Sequence, residues 1–182
     1  MRFLTLLLCI VNGFYVNPKT NSNQEELCEH NTDGLGKSKG IAISLQLPCD
    51  WKEIDNKTTD QIFNYAKKND EIKVMTSASL NITDLPDLNA SEEQELLKPN
   101  GLKRLSEGSG EIESSKQLKV DNITGGQIIR KDLSHNFFKI RNYFIYKRKL
   151  ISISYFIVST SPIEVKEYCD AFDSYLMKTK IK

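Results

Sequence analysis

The chain is short of the residues that do chemistry, and short of excess charge of either sign. Only two histidines, His30 and His135, occur in 182 residues. A nucleophile–histidine–acid set or a multi-histidine metal centre therefore has little to draw on. Lys and Arg number 25 against 24 Asp and Glu, a net charge of +1, so bulk charge supplies no pull toward nucleic acid or an anionic membrane. No apolar run reaches the roughly 20 residues that span a bilayer as a helix. Internal repeats are missing. What remains, 39% hydrophobic and 27% charged residues, is the composition of one ordinary globular domain and excludes collagen-like, coiled-coil and fully disordered chains.

Residues 1–16, MRFLTLLLCIVNGFYV, place one basic residue, Arg2, before an apolar stretch from Phe3 to Val11. That is the grammar of a secretory signal peptide. It predicts export and loss of the segment, leaving no transmembrane helix. Cys9 raises a lipoprotein alternative, but bulky Leu8 stands where that processing wants a small residue. Residues 17–39 are polar and rich in Asn, Gly and Ser, and read as a flexible lead-in to a single folded unit over 40–182.

Without the leader three cysteines remain, Cys28, Cys49 and Cys169, enough for one internal bridge and one leftover thiol. Cys28 with Cys49 is the candidate pair. A domain of this length builds a core without staples, so an unbridged pair is the plainer expectation. Sequons at Asn56, Asn81, Asn89 and Asn122 are no more than an Asn-rich, Lys-rich composition supplies, and that bias fits low-GC bacterial coding.

Ile41, Ile43, Leu45 and Leu47 alternate with Ala42, Ser44 and Gln46, predicting a strand with one covered face that Pro48 stops. Two strands follow, at Gln61–Ala66 and Glu71–Ser79. Ser91-Glu92-Glu93-Gln94 has the form of a capping box and predicts a helix start, and Pro99-Asn100-Gly101 should end or kink that helix. Four more strands are expected at Glu111–Val120, Gln127–Asp132, Phe137–Tyr146 and Leu150–Val158, the last two joined by a tight Lys147-Arg148-Lys149 tip. Ser161-Pro162-Ile163-Glu164 then opens a terminal helix, with Ser as cap and Pro at the first position. Val165, Cys169, Phe172 and Leu176 run down one face of it.

The segment Leu45-Gln46-Leu47-Pro48-Cys49-Asp50-Trp51 resembles the PsbP-like family, which includes the DcrB-type bacterial envelope proteins. So do the connector Asn122-Ile-Thr-Gly-Gly126 leading into Gln127-Ile-Ile-Arg130, and the strand from Leu150 running to Pro162. Residues 40–182 are covered. The resemblance implies an α+β fold, a three-layer α/β/α sandwich around an antiparallel sheet with a C-terminal amphipathic helix. It implies no shared catalytic residues.

Candidate chemistry is thin. Cys28-Glu29-His30 with Cys49 matches no closed zinc spacing, and His135 sits in a turn. Gly34-Leu35-Gly36-Lys37 neither follows a strand nor has Walker spacing. Glu92 and Glu93 suit a helix start, where the dipole favours them. No catalytic, cofactor or metal residue is assigned. Charge is uneven along the chain: residues 116–182 carry 13 Lys and Arg against 6 Asp and Glu. Lys139, Arg141, Lys147, Arg148 and Lys149 are the candidate partner-binding patch if they meet in space, and a solvated hairpin tip if they do not. The reading is an exported, non-catalytic binding or accessory protein of the bacterial cell envelope, with a protein or lipid partner and no nucleic acid. The alternative is a small-ligand carrier or enzyme with a pocket between sheet and helices, suggested by Phe137, Phe138, Tyr143, Phe144, Tyr155 and Phe156.

Overall fold

A computed structural model describes residues 25–54, 61–67, 75–106, 110–132, 136–159 and 161–182. The expected leader, Cys9, His135 and residues 71–74 of the third expected strand lie outside these. Among the described residues ten strands and three α-helices follow in order: β1 Leu27–Asn31, β2 Ile43–Pro48, β3 Lys52–Glu53, β4 Gln61–Lys67, β5 Met75–Asp84, α1 Ala90–Leu96, α2 Pro99–Leu105, β6 Glu111–Val120, β7 Ile123–Asp132, β8 Phe137–Tyr146, β9 Lys149–Val158, α3 Pro162–Met177 and β10 Lys180–Ile181. The architecture is α+β and mostly antiparallel sheet.

Seven strands form one sheet in the order β3-β4-β5-β9-β8-β7-β6, and a three-stranded sheet runs β1-β2-β10. Every pairing is antiparallel. Alternation along the strands divides the apolar residues between the two faces of the large sheet. Ile140 and Phe144 of β8 and Ile151, Ile153, Tyr155 and Ile157 of β9 pack with β2 and with Val165, Phe172 and Leu176 of α3. The opposite parity, Ile128, Tyr143, Ile145 and Leu150, meets Leu97, Leu102 and Leu105 around α1 and α2. The terminal helix thus shares its face of the sheet with a second, smaller sheet.

A polar chain running from two buried amides out to the surface pins α3 on that face. Gln127 Nε2 donates to Asn142 Oδ1 at 2.9 Å and to Asp173 Oδ1 at 2.8 Å, while Lys116 Nζ donates to Asp173 Oδ2 at 2.7 Å. Asn142 Nδ2 completes the chain on the Ile153 carbonyl at 3.2 Å. Each buried amide therefore has partners, which is what its burial requires.

Residues 25–39 are not the flexible lead-in expected for 17–39. Cys28 and Cys49 form a disulfide, Cα atoms 4.8 Å apart, and β1 lies along β2 in register Cys28↔Leu47. Leu27 packs on the core, and the His30 ring lies 4.2 Å from that of Tyr65. A polar strand is ordered here by a covalent tie and a neighbour, neither of which its own composition signals. The folded unit accordingly begins before Gly40.

Two local features also differ from expectation. The first helix is capped by Asn89, whose side chain accepts from Ser91 N and Glu92 N while Glu92 reaches back to Asn89 N. The capping box therefore starts two residues earlier than Ser91. Pro99 ends that helix by opening another, as the first residue of α2. The corner is tight: a Cβ at Gly101 would lie 2.3 Å from the Glu95 carbonyl oxygen. At the opposite margin, β6 is the outermost strand and carries a bulge between Ile112 and Ser114.

Candidate functional site: a cleft at the head of the terminal helix

Where β6, β7 and β8 run under the start of α3, the sheet and helix part to leave an open cleft of about 580 Å³. Ile129 and Phe138 form its floor, with Val165 and Cys169 as the helix wall. Glu113, displaced by the β6 bulge, and Lys131 stand among its polar residues. Ser161 caps the helix by accepting from Glu164 N, and Ser159 Oγ donates to the Glu164 carboxylate at 2.7 Å. The helix start is thus held by its own side chains. An apolar floor with a polar rim suits an amphipathic ligand.

Cys169 is the thiol of this cleft, and burial pushes its pKa up to about 11, with Asp173 and Asp170 adding to the effect. It stays a thiol at neutral pH, not the thiolate that nucleophilic chemistry uses. Cys28 and Cys49, possible metal ligands with His30, are bonded to each other. Among the described residues no group of three or more His, Cys, Asp or Glu converges to hold a metal ion.

The five cations expected as one patch fall into two groups. Lys139 and Arg141 lie within β8, on the face away from α3; Lys147, Arg148 and Lys149 make the far end of the β8–β9 hairpin, about 20 Å of strand from Arg141. The tip is largely satisfied within the chain. Arg148 pairs with Asp87, and Asp84 takes both Lys149 and Lys39. Those two lysines hold the Asp84 carboxyl down at about 2. Around Lys139 the neighbours are cationic, and burial, then Arg141 and Arg130, lower its ammonium to about 8. Arg130, the third cation of that group, comes from β7, and only strand register reveals it.

The Gly-Gly connector is structural. A Cβ on Gly125 would lie 2.5 Å from the Phe144 ring, and one on Gly126 would lie 2.6 Å from the Leu102 side chain. These bare positions let the core ring on one face and α2 on the other approach the backbone of β7.

No family model and no curated protein matches the sequence. Its fold does have solved counterparts. The solution structure of cyanobacterial PsbP from Synechocystis sp. PCC 6803 is similar at a TM-score of 0.56 and 12% identity, over 87% of this chain and 94% of that one. The fold is PsbP-like. LpqN of Mycobacterium tuberculosis, described as involved in cell envelope biogenesis, is similar at a TM-score of 0.53 and 13% identity, over 87% of this chain and 93% of that one. At such identities the PsbP-like likeness speaks of fold alone. Among the described residues no helix is long and apolar enough to cross a membrane.

Proposed function

We propose that the protein is an exported, non-catalytic accessory protein of the bacterial cell envelope that works by binding a protein or lipid partner. The observation that carries this reading is the Cys28–Cys49 bridge, since such bonds persist in oxidising compartments and are rare in the cytosol. The likeness to LpqN, a protein of envelope biogenesis by its description, supports it. So does the layering, which we take as α1–α2, the seven-stranded sheet, and α3 with the small sheet. The test is the mature protein itself. Mass spectrometry of the envelope fraction is expected to show a chain lacking about its first 16 residues, in which, after denaturation without reductant, alkylation labels Cys169 and leaves Cys28 and Cys49 unlabelled. An intact Met1 with reactive thiols at Cys28 and Cys49 would overturn the reading. Affinity capture from envelope extracts, with a Lys147/Arg148/Lys149→Ala variant beside wild type, tests the hairpin as the contact.

A second reading, a small-ligand carrier, is favoured by the cleft at α3. Displacement of a fluorescent fatty acid, lost in Val165→Trp, would support it; unaltered binding in that variant would remove the cleft from consideration.

A further inference from the structure

Cys49 is exposed where the chain turns out of β2, and Cys28, bonded to it, is half-buried. Solvent therefore reaches the bridge from the Cys49 side, and exposed bridges are reduced more readily than buried ones. The strand that the bridge fastens has few other ties. β1 is five residues long and lies at the margin of the small sheet. Leu27 is its contribution to the apolar core. Glu29 is exposed, its carboxylate accepting from Ser44 Oγ at 2.6 Å. His30 rests against the Tyr65 ring, and among the described residues its buried Nε2 has no hydrogen-bond partner. Seating β1 thus carries a desolvation cost that its release removes.

β2 is anchored without β1. Ile43, Leu45 and Leu47 are buried in the large core, and β10 pairs with Ile43 and Ser44. Ala42 and Lys182 exchange backbone hydrogen bonds at 3.0 and 2.8 Å. Among the described residues, however, β1 alone pairs with Leu45 to Pro48. Losing β1 would leave β2 in place and bare its backbone edge, the kind of edge that an extended segment joins.

We infer that the Cys28–Cys49 bridge is a redox latch: reduction by a dithiol frees β1 and opens the edge of β2, while the seven-stranded sheet and α3 stay folded. The latch rests on the export reading, because the bridge must form before it can be opened. A thiolate of the dithiol attacks Cys49 Sγ; the S–S bond breaks, and Cys28 leaves as a thiolate that takes up the proton. The second thiol then gives up its proton, attacks the mixed disulfide and displaces Cys49, which is protonated in turn. The dithiol ends as a disulfide, and the bridge gains two electrons to become two thiols. A short polar strand freed of its cross-link belongs to the low-stability end of a fold, where local opening occurs.

The oxidised full chain is treated with dithiothreitol under native conditions, then followed by alkylation with peptide mapping and by hydrogen exchange. Reduction is expected to go to completion without denaturant. Protection over residues 27–31 and 45–47 should fall about hundredfold, the chain-entropy worth of a loop with a sequence separation of 21. Protection in β5, β8 and β9 should not move, and reoxidation should restore β1. Cys28→Ser with Cys49→Ser should match reduced wild type and ignore dithiothreitol; should it fail to fold, reduced wild type carries the test. A glutathione pulse quenched with N-ethylmaleimide should leave glutathione on Cys49 and the alkyl group on Cys28. The latch is overturned by a bridge that resists dithiothreitol until the protein is denatured, by β1 equally protected after reduction, by loss of protection in β5, β8 and β9 together with β1, or by the reverse labelling. Each of these leaves export and the bridge standing, whereas an intact Met1 with no bridge fails the export reading first.

Discussion

The phenol ring of Tyr155 lies flat on the ring of Phe172, centroids 4.5 Å apart and planes within 8° of parallel. Trp51 meets Phe172 edge-on at 6.0 Å. The stack couples the middle of β9 to the middle of α3, and both rings are fully buried. Among the described residues the Tyr155 hydroxyl has no hydrogen-bond partner, and burial first of all raises its pKa. Tyr155→Phe keeps the stack and removes an orphaned polar atom, so chemical denaturation should find it as stable as wild type or more so. Phe172→Ala empties the site and is expected to cost about 3–5 kcal/mol.

The Cys28–Cys49 bridge closes a loop with a sequence separation of 21 residues, for which chain-entropy arguments give about 3 kcal/mol. Cys28→Ser with Cys49→Ser should lower stability by about that amount. Hydrogen exchange should rise first in β1, whose Cys28 side chain and pairing to β2 are its main ties.

At the hairpin tip both Lys147 and Arg148 adopt left-handed backbone, φ 49° and 60°. Such turns favour Asn-Gly, and a residue with a Cβ costs roughly 1 kcal/mol or more there. The equivalent β6–β7 turn already uses Asn122 at φ 66°. Lys147→Asn with Arg148→Gly is therefore expected to raise the melting temperature, because the exposed Arg148–Asp87 ion pair it removes contributes little.

The sheet of a PsbP-like fold and its last helix are legible in the chain because their signals are local. Alternating residues mark β8 and β9, and Ser161-Pro162 with the Val165–Leu176 stripe marks α3. What is not legible depends on distant partners. β1 is polar and exists through Cys49 and β2. The end of β5 is Asn81 to Asp84, which reads as loop until β9 pairs with it. The cleft joins three strands to a helix some fifty residues after the first of them. Closeness in sequence put Lys147 beside Arg141; strand geometry instead gives Lys139 and Arg141 the company of Arg130.

Lys139 also carries a pH prediction. Its folded pKa of about 8 lies below the ordinary lysine value of 10.5, so between these values the unfolded chain binds more protons. Stability should then rise as pH increases through about 8, the opposite of a paired lysine. Cys169, raised to about 11 from 9.0, works the other way above about pH 9. The window that isolates Lys139 is therefore about pH 7.5 to 9, and the rise should vanish in Lys139→Met.

Gly126 sets how closely α2 approaches the sheet, since a Cβ there would also lie 2.8 Å from the Leu97 carbonyl oxygen. Gly126→Ala should lift α1 and α2 from β7, at a cost of about 1–3 kcal/mol. Exposure of the single tryptophan should not change, because Trp51 belongs to the opposite cluster. Acrylamide quenching checks this.

The kink at Glu113 does more than turn one side chain toward the cleft. A straight ten-residue margin invites stray extended chains to zip onto it, a hazard for any protein exposed to misfolded neighbours. A single extra residue throws such a visitor out of step after two or three rungs, and exposed Lys119 makes its approach costlier still. The longest open flank among the described residues is therefore a poor template for a stray strand.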